Sequence, residues 1–452
     1  MSGAPNILVI IVDDMGVHQL GCYGSTFYET PHLDRLAREG ARFACSYSAS
    51  PVCSPARAAL YTGLHPARLH LTNYIPGTEP PNPRLLTPPW RAHLPVEVVT
   101  IGDALKARGY ATGHFGKWHL APDYHYRPGR PTDPESQGFD DVVVTRKPPA
   151  AADPEGDPHH IHGITDQAVR FMTAPRSAPF LCVVAHNALH RPELASAAKV
   201  RKYAAKPGAE RDGNRPVVAA MVEEVDRSVG RLLETLHATA LARDTLVVFT
   251  SDHGAFGRST ERKPLRGAKA DLYEGGIRVP LIWHWPGRIA AGARSALVFG
   301  TDLFPTLLAA AGAPVPAGLD GHSLHAHLLD PAVPPPPRAA LHWHFPHYHH
   351  LGLAPSGAIR AGRHKLIEWF DRSLGGAAGP ACELYDLEAD PGETRDLAAA
   401  EPALCAALAA RLREWRREVG AQEMRPNPAF DPARGGTEAV PPPGDPGNPY
   451  RP

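Results

Sequence analysis

No CxxC pair occurs in the chain. Six cysteines (Cys22, Cys45, Cys53, Cys182, Cys382 and Cys405) are scattered through 452 residues. That distribution argues against both a zinc module and a disulfide framework. An excess of either charge is also missing, since 47 Lys and Arg stand against 47 Asp and Glu. A balanced chain has no overall pull toward polyanions, so no nucleic-acid partner is expected. Apolar runs stay well short of the roughly 20 residues that cross a bilayer, and no membrane association is expected. The run NILVIIV at Asn6–Val12 begins almost at Met1 and passes directly into Asp13 and Asp14. A leader would need a basic start, a longer apolar core and a cleavage site ahead of the fold. A cytoplasmic location is therefore expected, unless a mis-assigned start hides an export signal.

Proline, by contrast, is abundant. The 50 prolines are about double the usual usage of roughly 5%. They gather in Pro76–Pro95, Pro122–Pro158, Pro331–Pro337 and beyond Arg425, which predicts loops, a linker and a disordered end. The length accommodates one large domain and a smaller one. The predicted boundaries are 1–335, 336–425 and a tail at 426–452.

Between these segments the pattern alternates buried strands with amphipathic helices. Asn6–Val12, Ala41–Ser46, Tyr110–Phe115, Phe180–Ala185, Thr245–Thr250 and Leu281–Trp285 read as strands. Pro31–Gly40, Thr100–Gly109, His159–Ala174, Gly213–Thr239 and Asp302–Ala311 read as helices. Ala358–Trp369 and Glu383–Asp386 read as strands of a small antiparallel sheet, closed by a helix at Pro402–Val419. The fold class is α/β, with a smaller C-terminal α+β subdomain.

Chemistry-bearing residues fall at the ends of these elements. In PVCSPARAALYTG (Pro51–Gly63), Pro55 suits a first helical turn. Cys53 then sits at the helix N-terminus, where free N–H groups favour an anion, and Arg57 adds a positive fork one turn on. Asp13 and Asp14 follow the first strand at the sheet edge where ligands bind in open α/β folds. Ser251-Asp252-His253-Gly254 reaches that same edge from another strand. Three carboxylates suit Ca²⁺ or Mg²⁺, while His253 is a softer ligand. The cluster His342, His344, His347, His349 and His350 offers no clean ligand spacing and reads as a solvated or substrate-facing loop.

Pro51–Gly63 resembles the maturation and catalytic motif of the sulfatase family, Cys-x-Pro-x-Arg followed by Thr-Gly. Ala56 stands where many members carry serine, and Tyr61 where a second aliphatic residue is usual. GYATGHFGKWHL resembles the second sulfatase signature, with Phe115 replacing a small or aliphatic residue. The His190-Arg191-Pro192 and KADLYEGGIRVP segments and LYDLEADPGETRDLA resemble further family landmarks, so the resemblance covers roughly residues 6–420. It implies an alkaline-phosphatase-like fold, with a large, mixed, mostly parallel sheet flanked by helices.

It also implies that a formylglycine-generating enzyme oxidises Cys53 to formylglycine, whose hydrate is the nucleophile. By resemblance, Asp13, Asp14, Asp252, His253 and residue 53 hold a divalent metal, with Ca²⁺ expected and Mg²⁺ or another ion as alternatives. Lys117 and Lys269 bind the sulfate, His119 deprotonates the hydrate, His190 protonates the departing alcohol, and Arg57 orients residue 53. The implied substrate is a sulfated small molecule or glycan. Phosphonate monoester or phosphodiester hydrolysis on the same site is an alternative. So are a non-catalytic metal and anion binder with unconverted Cys53, and a metal-free scaffold.

Overall fold

The first strand shows how sequence becomes architecture. Along Asn6–Val12, Ile7, Val9 and Ile11 enter one hydrophobic cluster while Leu8, Ile10 and Val12 enter another on the opposite face. A period of two therefore feeds two cores at once, and burying each such side chain contributes about 1.5–3 kcal/mol. The computed structural model describes residues 3–211, 213–257, 264–351, 354–436 and 439.

Eight strands form the main sheet: β1 Asn6–Val12, β2 Ala41–Tyr47, β3 Ala111–Gly116, β4 Asp141–Val144, β5 Phe180–His186, β6 Thr245–Ser251, β7 Leu281–His284 and β8 Gly292–Phe299. Their order across the sheet is β4-β3-β5-β1-β6-β7-β2-β8. Every ladder is parallel except the two made by β7. The mixed, mostly parallel α/β sheet expected from the sequence is thus observed. The edge strands β4 and β8 escaped the sequence reading because both are partly exposed and lack a continuous apolar run.

The long Pro216–Ala238 helix begins with Pro at its first turn and packs on one sheet face. Its buried Asp226 accepts hydrogen bonds from the backbone N–H groups of His32 and Leu33 at 3.1 and 2.8 Å, satisfying free donors at the start of the Pro31–Glu39 helix.

A second sheet is antiparallel, with strands β9 Leu341–Phe345, β10 Ser356–Ala361, β11 His364–Trp369 and β12 Cys382–Asp386 in sequential order. The expected single stretch Ala358–Trp369 is in fact a hairpin, turning at Gly362 with φ 57°. The Pro402–Glu418 helix packs against it. The histidine-rich segment differs from a solvated loop. His342 and His344 lie on β9, and His344, His347, His349 and His350 are buried.

Residues 425–426 pair with 85–86, and Asn82 Nδ2 donates to the carbonyls of Asp431 and Arg434. The start of the segment read as a disordered tail is therefore held against the domain by backbone bonds that its proline content did not reveal. The rest of that expectation, residues 437–438 and 440–452, lies outside the described residues.

Candidate active site

The parallel register gathers the site. Val12 pairs with both His186 and Ser251, so the residues that follow, Asp13-Asp14, Asn187 and Asp252-His253, leave the sheet at one level. Gly116 pairs with Ala185 and brings Lys117 to the same edge. Gly116 has φ 116°, and a Cβ there would lie 1.9 Å from the Ala185 carbonyl oxygen, so the close approach that places Lys117 requires glycine. Asp14, His119, Leu189 and Ala270 also adopt positive φ (62°, 61°, 72° and 73°). Each is a site residue or adjoins one, and such backbone strain collects where surrounding structure dictates side-chain placement.

Cys53 opens the Cys53–Thr62 helix, all of whose residues are buried. Its Sγ lies 3.4 Å from Asp13 Oδ1, 3.2 Å from His253 Nε2 and 3.4 Å from Lys269 Nζ. Lys117 Nζ donates to Asp13 Oδ2 at 2.6 Å, and Lys269 Nζ donates to Asp14 Oδ1 at 2.8 Å. Arg57 is completely buried. Its Nε donates to Asp252 Oδ2 at 2.9 Å and its Nη1 to the Lys117 carbonyl at 2.8 Å. Arg57 therefore fixes Asp252 and the Lys117 backbone.

These groups shift one another's proton affinities. Burial pushes the Cys53 thiol up, but the ammonium groups of Lys117 and Lys269 together with His253 outweigh it and hold the thiol well below its ordinary range. Burial raises Asp14 to about 7 against the pull of Lys269, and burial raises Asp252 to about 6. Asp13 goes the other way. Burial and the Cys53 charge oppose ionisation, yet Lys117, His190 and Lys269 keep its carboxyl well below the usual range.

One carboxylate oxygen of Asp13 and of Asp14, Cys53 Sγ and a ring nitrogen of His253 all lie within 4.8 Å of one another. Asp252 stands beside this group, its Oδ1 3.6 Å from His253 Nε2 and accepting the His253 N–H at 2.9 Å. Asp14 Oδ2 is buried without a hydrogen-bond partner. His253 Nδ1 donates to the Gly254 carbonyl at 3.0 Å, which leaves Nε2 as the ligating nitrogen. Adjacent buried carboxylates, an orphaned oxygen and an oriented imidazole fit a divalent cation.

The cluster forms the floor of a cavity of about 250 Å³, with Asp13, Cys53, Lys117, His119, His190 and Lys269 all in its lining. His119 Nε2 donates to the Ile75 carbonyl at 2.7 Å, and His190 Nδ1 donates to the Arg191 carbonyl at 2.8 Å. His186, the other histidine of that loop, is buried and bonded to Ser228 Oγ at 3.0 Å, away from the lining. The structure thus brings Asp13, Cys53, Lys117, His119, His190 and Lys269 to the cavity surface, with Arg57, Asp14, Asp252 and His253 directly behind it, while of the histidine-rich cluster only His349 and His350 reach the lining. Sequence reasoning missed Tyr74, Tyr124, Thr145 and Phe256 in the walls. They come from loops with no motif, and only folding assembles them.

Comparison with known proteins matches this geometry. The Sulfatase family profile covers residues 5–313, and the profile described as N-sulphoglucosamine sulphohydrolase, C-terminal, covers 268–418. The chain belongs to the sulfatase family. It is 33% identical to arylsulfatase A of Homo sapiens, over 87% of this chain and 83% of that protein. It is 27% identical to an N-acetylgalactosamine-6-O-sulfatase of Bacteroides thetaiotaomicron, over 89% and 91% respectively.

Among solved structures, Ps i-CgsB in complex with k-i-k-neocarrahexaose superposes with a TM-score of 0.72 at 28% identity, covering 91% of this chain and 93% of that one. A phosphonate monoester hydrolase of Agrobacterium radiobacter shares the fold, with a TM-score of 0.69 at 21% identity over 92% and 96%. This sulfatase is accordingly a sulfuric ester hydrolase built on the alkaline-phosphatase-like fold.

Proposed function

We propose that this sulfatase cleaves sulfate monoesters with residue 53, matured from cysteine to formylglycine, as nucleophile, beside a divalent cation held by Asp13, Asp14 and His253 with Asp252 at their side. The observation that carries the reading is the position of Cys53, at a helix N-terminus and between two lysines at the cavity floor. An unmodified thiol among these charges has no obvious structural task. When present, the modification supplies a hydrated aldehyde with two hydroxyls, and the cation supplies positive charge that lowers the proton affinity of a bound oxygen.

The chain's own residues do the rest. Lys117 and Lys269 place positive charge around a tetrahedral anion at the floor and stabilise it as its bonds change. Arg57 acts indirectly, by fixing Asp252 and the Lys117 backbone. His119 is tied through Nε2–H, so its Nδ1 lone pair is left to accept a proton, and the ring lies against the Cys53 side chain. His190 is held neutral by burial and by Lys269, and its Nδ1–H is committed to Arg191. It can act as a proton donor only after Nε2 has taken a proton up.

Glycan-directed relatives, such as the N-acetylgalactosamine-6-O-sulfatase, and the ring-lined cavity support a sulfated sugar or small cyclic alcohol ester as substrate. Lys117 and Lys269 would hold tetrahedral phosphonate as readily as sulfate, so rates on matched sulfate, phosphonate and phosphodiester substrates decide the preference. The first test is tandem mass spectrometry of the tryptic peptide Phe43–Arg57 from protein matured with a formylglycine-generating enzyme. An aldehyde at residue 53 with Cys45 intact is expected. Sulfate-ester turnover by protein whose Cys53 is wholly unmodified would overturn the mechanism. An inert, unmodified protein would favour a binding role.

A further inference from the structure

Three cavity imidazoles have their tautomers dictated by a backbone partner. The carbonyl of Ile75 accepts from His119, so Nε2 carries the proton and Nδ1 is bare. The carbonyl of Arg191 accepts from His190, so Nδ1 carries the proton and Nε2 is bare. His349 is the reverse case. Its Nδ1 lies 3.2 Å from the backbone nitrogen of Leu351, whose N–H donates to it. A backbone N–H is an obligatory donor, so Nδ1 must be the lone-pair nitrogen and Nε2 must carry the hydrogen. His119 and His190 therefore offer acceptors to the cavity, and His349 offers a donor.

The ring of His349 is also held firmly. It is 2% exposed, stacks on His350 with ring centroids 4.3 Å apart, and meets Tyr74 at 5.1 Å. It lines the same cavity as Cys53, Lys269 and His190. Burial, then His350 and Lys269, keep it neutral. The floor lysines are directed to carboxylates, Lys117 to Asp13 and Lys269 to Asp14. In an in-line displacement the departing oxygen lies across sulfur from residue 53, toward the cavity walls.

We propose that His349 is a catalytic residue of this sulfatase, its neutral Nε2–H donating a hydrogen bond to the ester oxygen that leaves as the alcohol. The proposal rests on the sulfate-ester reading above. As the S–O bond breaks, its electron pair passes to the departing oxygen, which His349 stabilises without ionising. The Nε2–H bond stays intact, and the proton that completes the alcohol is delivered separately, by His190 once its bare Nε2 has taken one up from solvent. A neutral imidazole acting as a hydrogen-bond donor to a charge-gaining oxygen has precedent in enzyme chemistry.

The test compares kcat/KM of the matured holoenzyme on esters ranging from 4-nitrophenyl sulfate to alkyl sulfates, for wild type, His349→Ala, His349→Gln and His190→Ala. A poor leaving group needs the donor most, so His349→Ala is expected to lose about 100-fold on alkyl sulfates and far less on 4-nitrophenyl sulfate. Gln, which carries an N–H donor at similar reach, should recover much of that loss. Uniform loss across the series would mark a structural role and overturn the proposal. So would no loss, or a leaving-group-dependent loss confined to His190→Ala. Matured wild type inert toward every sulfate ester would overturn the hydrolase reading itself, and the role of His349 with it. Nitrogen-15 NMR of the unmodified protein reads the tautomer independently of activity. A bare Nδ1 and protonated Nε2 at His349 are expected, and the reverse would overturn the proposal.

Discussion

Two clusters of buried charge lie in this molecule, and they are built to different ends. Where the small sheet meets the large domain, Lys365 Nζ contacts Glu274 Oε1 at 3.0 Å and Glu393 Oε1 at 2.8 Å. Tyr47 O–H donates to Glu274 Oε2 at 2.6 Å, and the Glu274 N–H donates to Glu393 Oε2 at 2.7 Å. The side chains of Lys365 and Glu274 are wholly buried, and Glu393 Oε1, though without a hydrogen bond, faces the Lys365 ammonium as an ion pair. At the cavity floor the charges are as deeply buried, yet Asp14 Oδ2 and Arg57 Nη2 have no partner. The first cluster fastens two parts of the chain together. The second leaves open valences around Cys53, and those mark it as a place for something else to bind. Burial of charge alone does not distinguish a staple from a site; whether each unbonded polar atom faces an opposite charge of the chain does.

The sharpest way to break that contrast is to remove one member of each cluster. Cys53→Ala is expected to lower turnover of the matured enzyme by at least about 1,000-fold, since no nucleophile remains, while thermal unfolding changes little. Lys365→Met should do the opposite. It strands two buried carboxylates and should cost about 3–5 kcal/mol, with kcat preserved in whatever protein still folds. Denaturant titration and single-substrate kinetics on the two variants check both halves.

Chelation should affect only the open cluster. EDTA is expected to abolish turnover and lower Tm, and Ca²⁺ or Mg²⁺ to restore both. A cation at 100 times its dissociation constant adds about 2.7 kcal/mol. In Asp14→Asn the Tm response to EDTA should shrink, whereas in Lys365→Met it should persist.

Acid gives a smaller effect, centred on the small sheet. Burial lowers His344 to about 3, against an ordinary 6.5, and its Nε2 is bonded to the Gln422 carbonyl oxygen at 2.8 Å. The unfolded chain therefore takes up a proton below about pH 6.5 that the folded chain refuses. The stability this histidine contributes is complete above that pH and falls as pH drops toward 3. Between pH 6.5 and 5.5 the loss is about 1 kcal/mol. The pH dependence of unfolding should flatten by that amount in His344→Gln. The least effect is expected from Cys45→Ser, a half-buried free thiol, which should change stability by no more than about 0.5 kcal/mol and leave turnover unchanged. That variant also removes the second thiol from the diagnostic peptide.

Much of the fold was legible because strands buried on both faces carry uninterrupted Ile, Val and Leu. Asn6–Val12 and Thr245–Ser251 could hardly be read otherwise. Gly292–Phe299 could, because an edge strand that is half exposed carries polar residues at positions a central strand would fill with apolar ones. The histidine-rich segment misled for a related reason. Composition suggested a solvated or substrate-facing loop, whereas stacking of His342 on Trp415 at 4.6 Å and burial of its neighbours put the segment inside, with His349 and His350 in the cavity lining. The motif residues were legible because a helix start at Cys53 and carboxylates after strand ends have local causes.

The sequence by itself determined the buried strands, the helix that begins at Cys53 and the types of group that reach the sheet edge, because each follows from a periodicity or cap spanning a few residues. Tertiary structure alone decided which charges close on one another and which stay open. The lysine partners of Asp13 and Asp14 lie more than a hundred residues away, at 117 and 269. It also decided which nitrogen each cavity histidine presents, because a ring's tautomer is set by the nearest obligatory donor or acceptor. For His349 that partner is two residues along the chain, but only the folded loop turns its N–H back onto the ring.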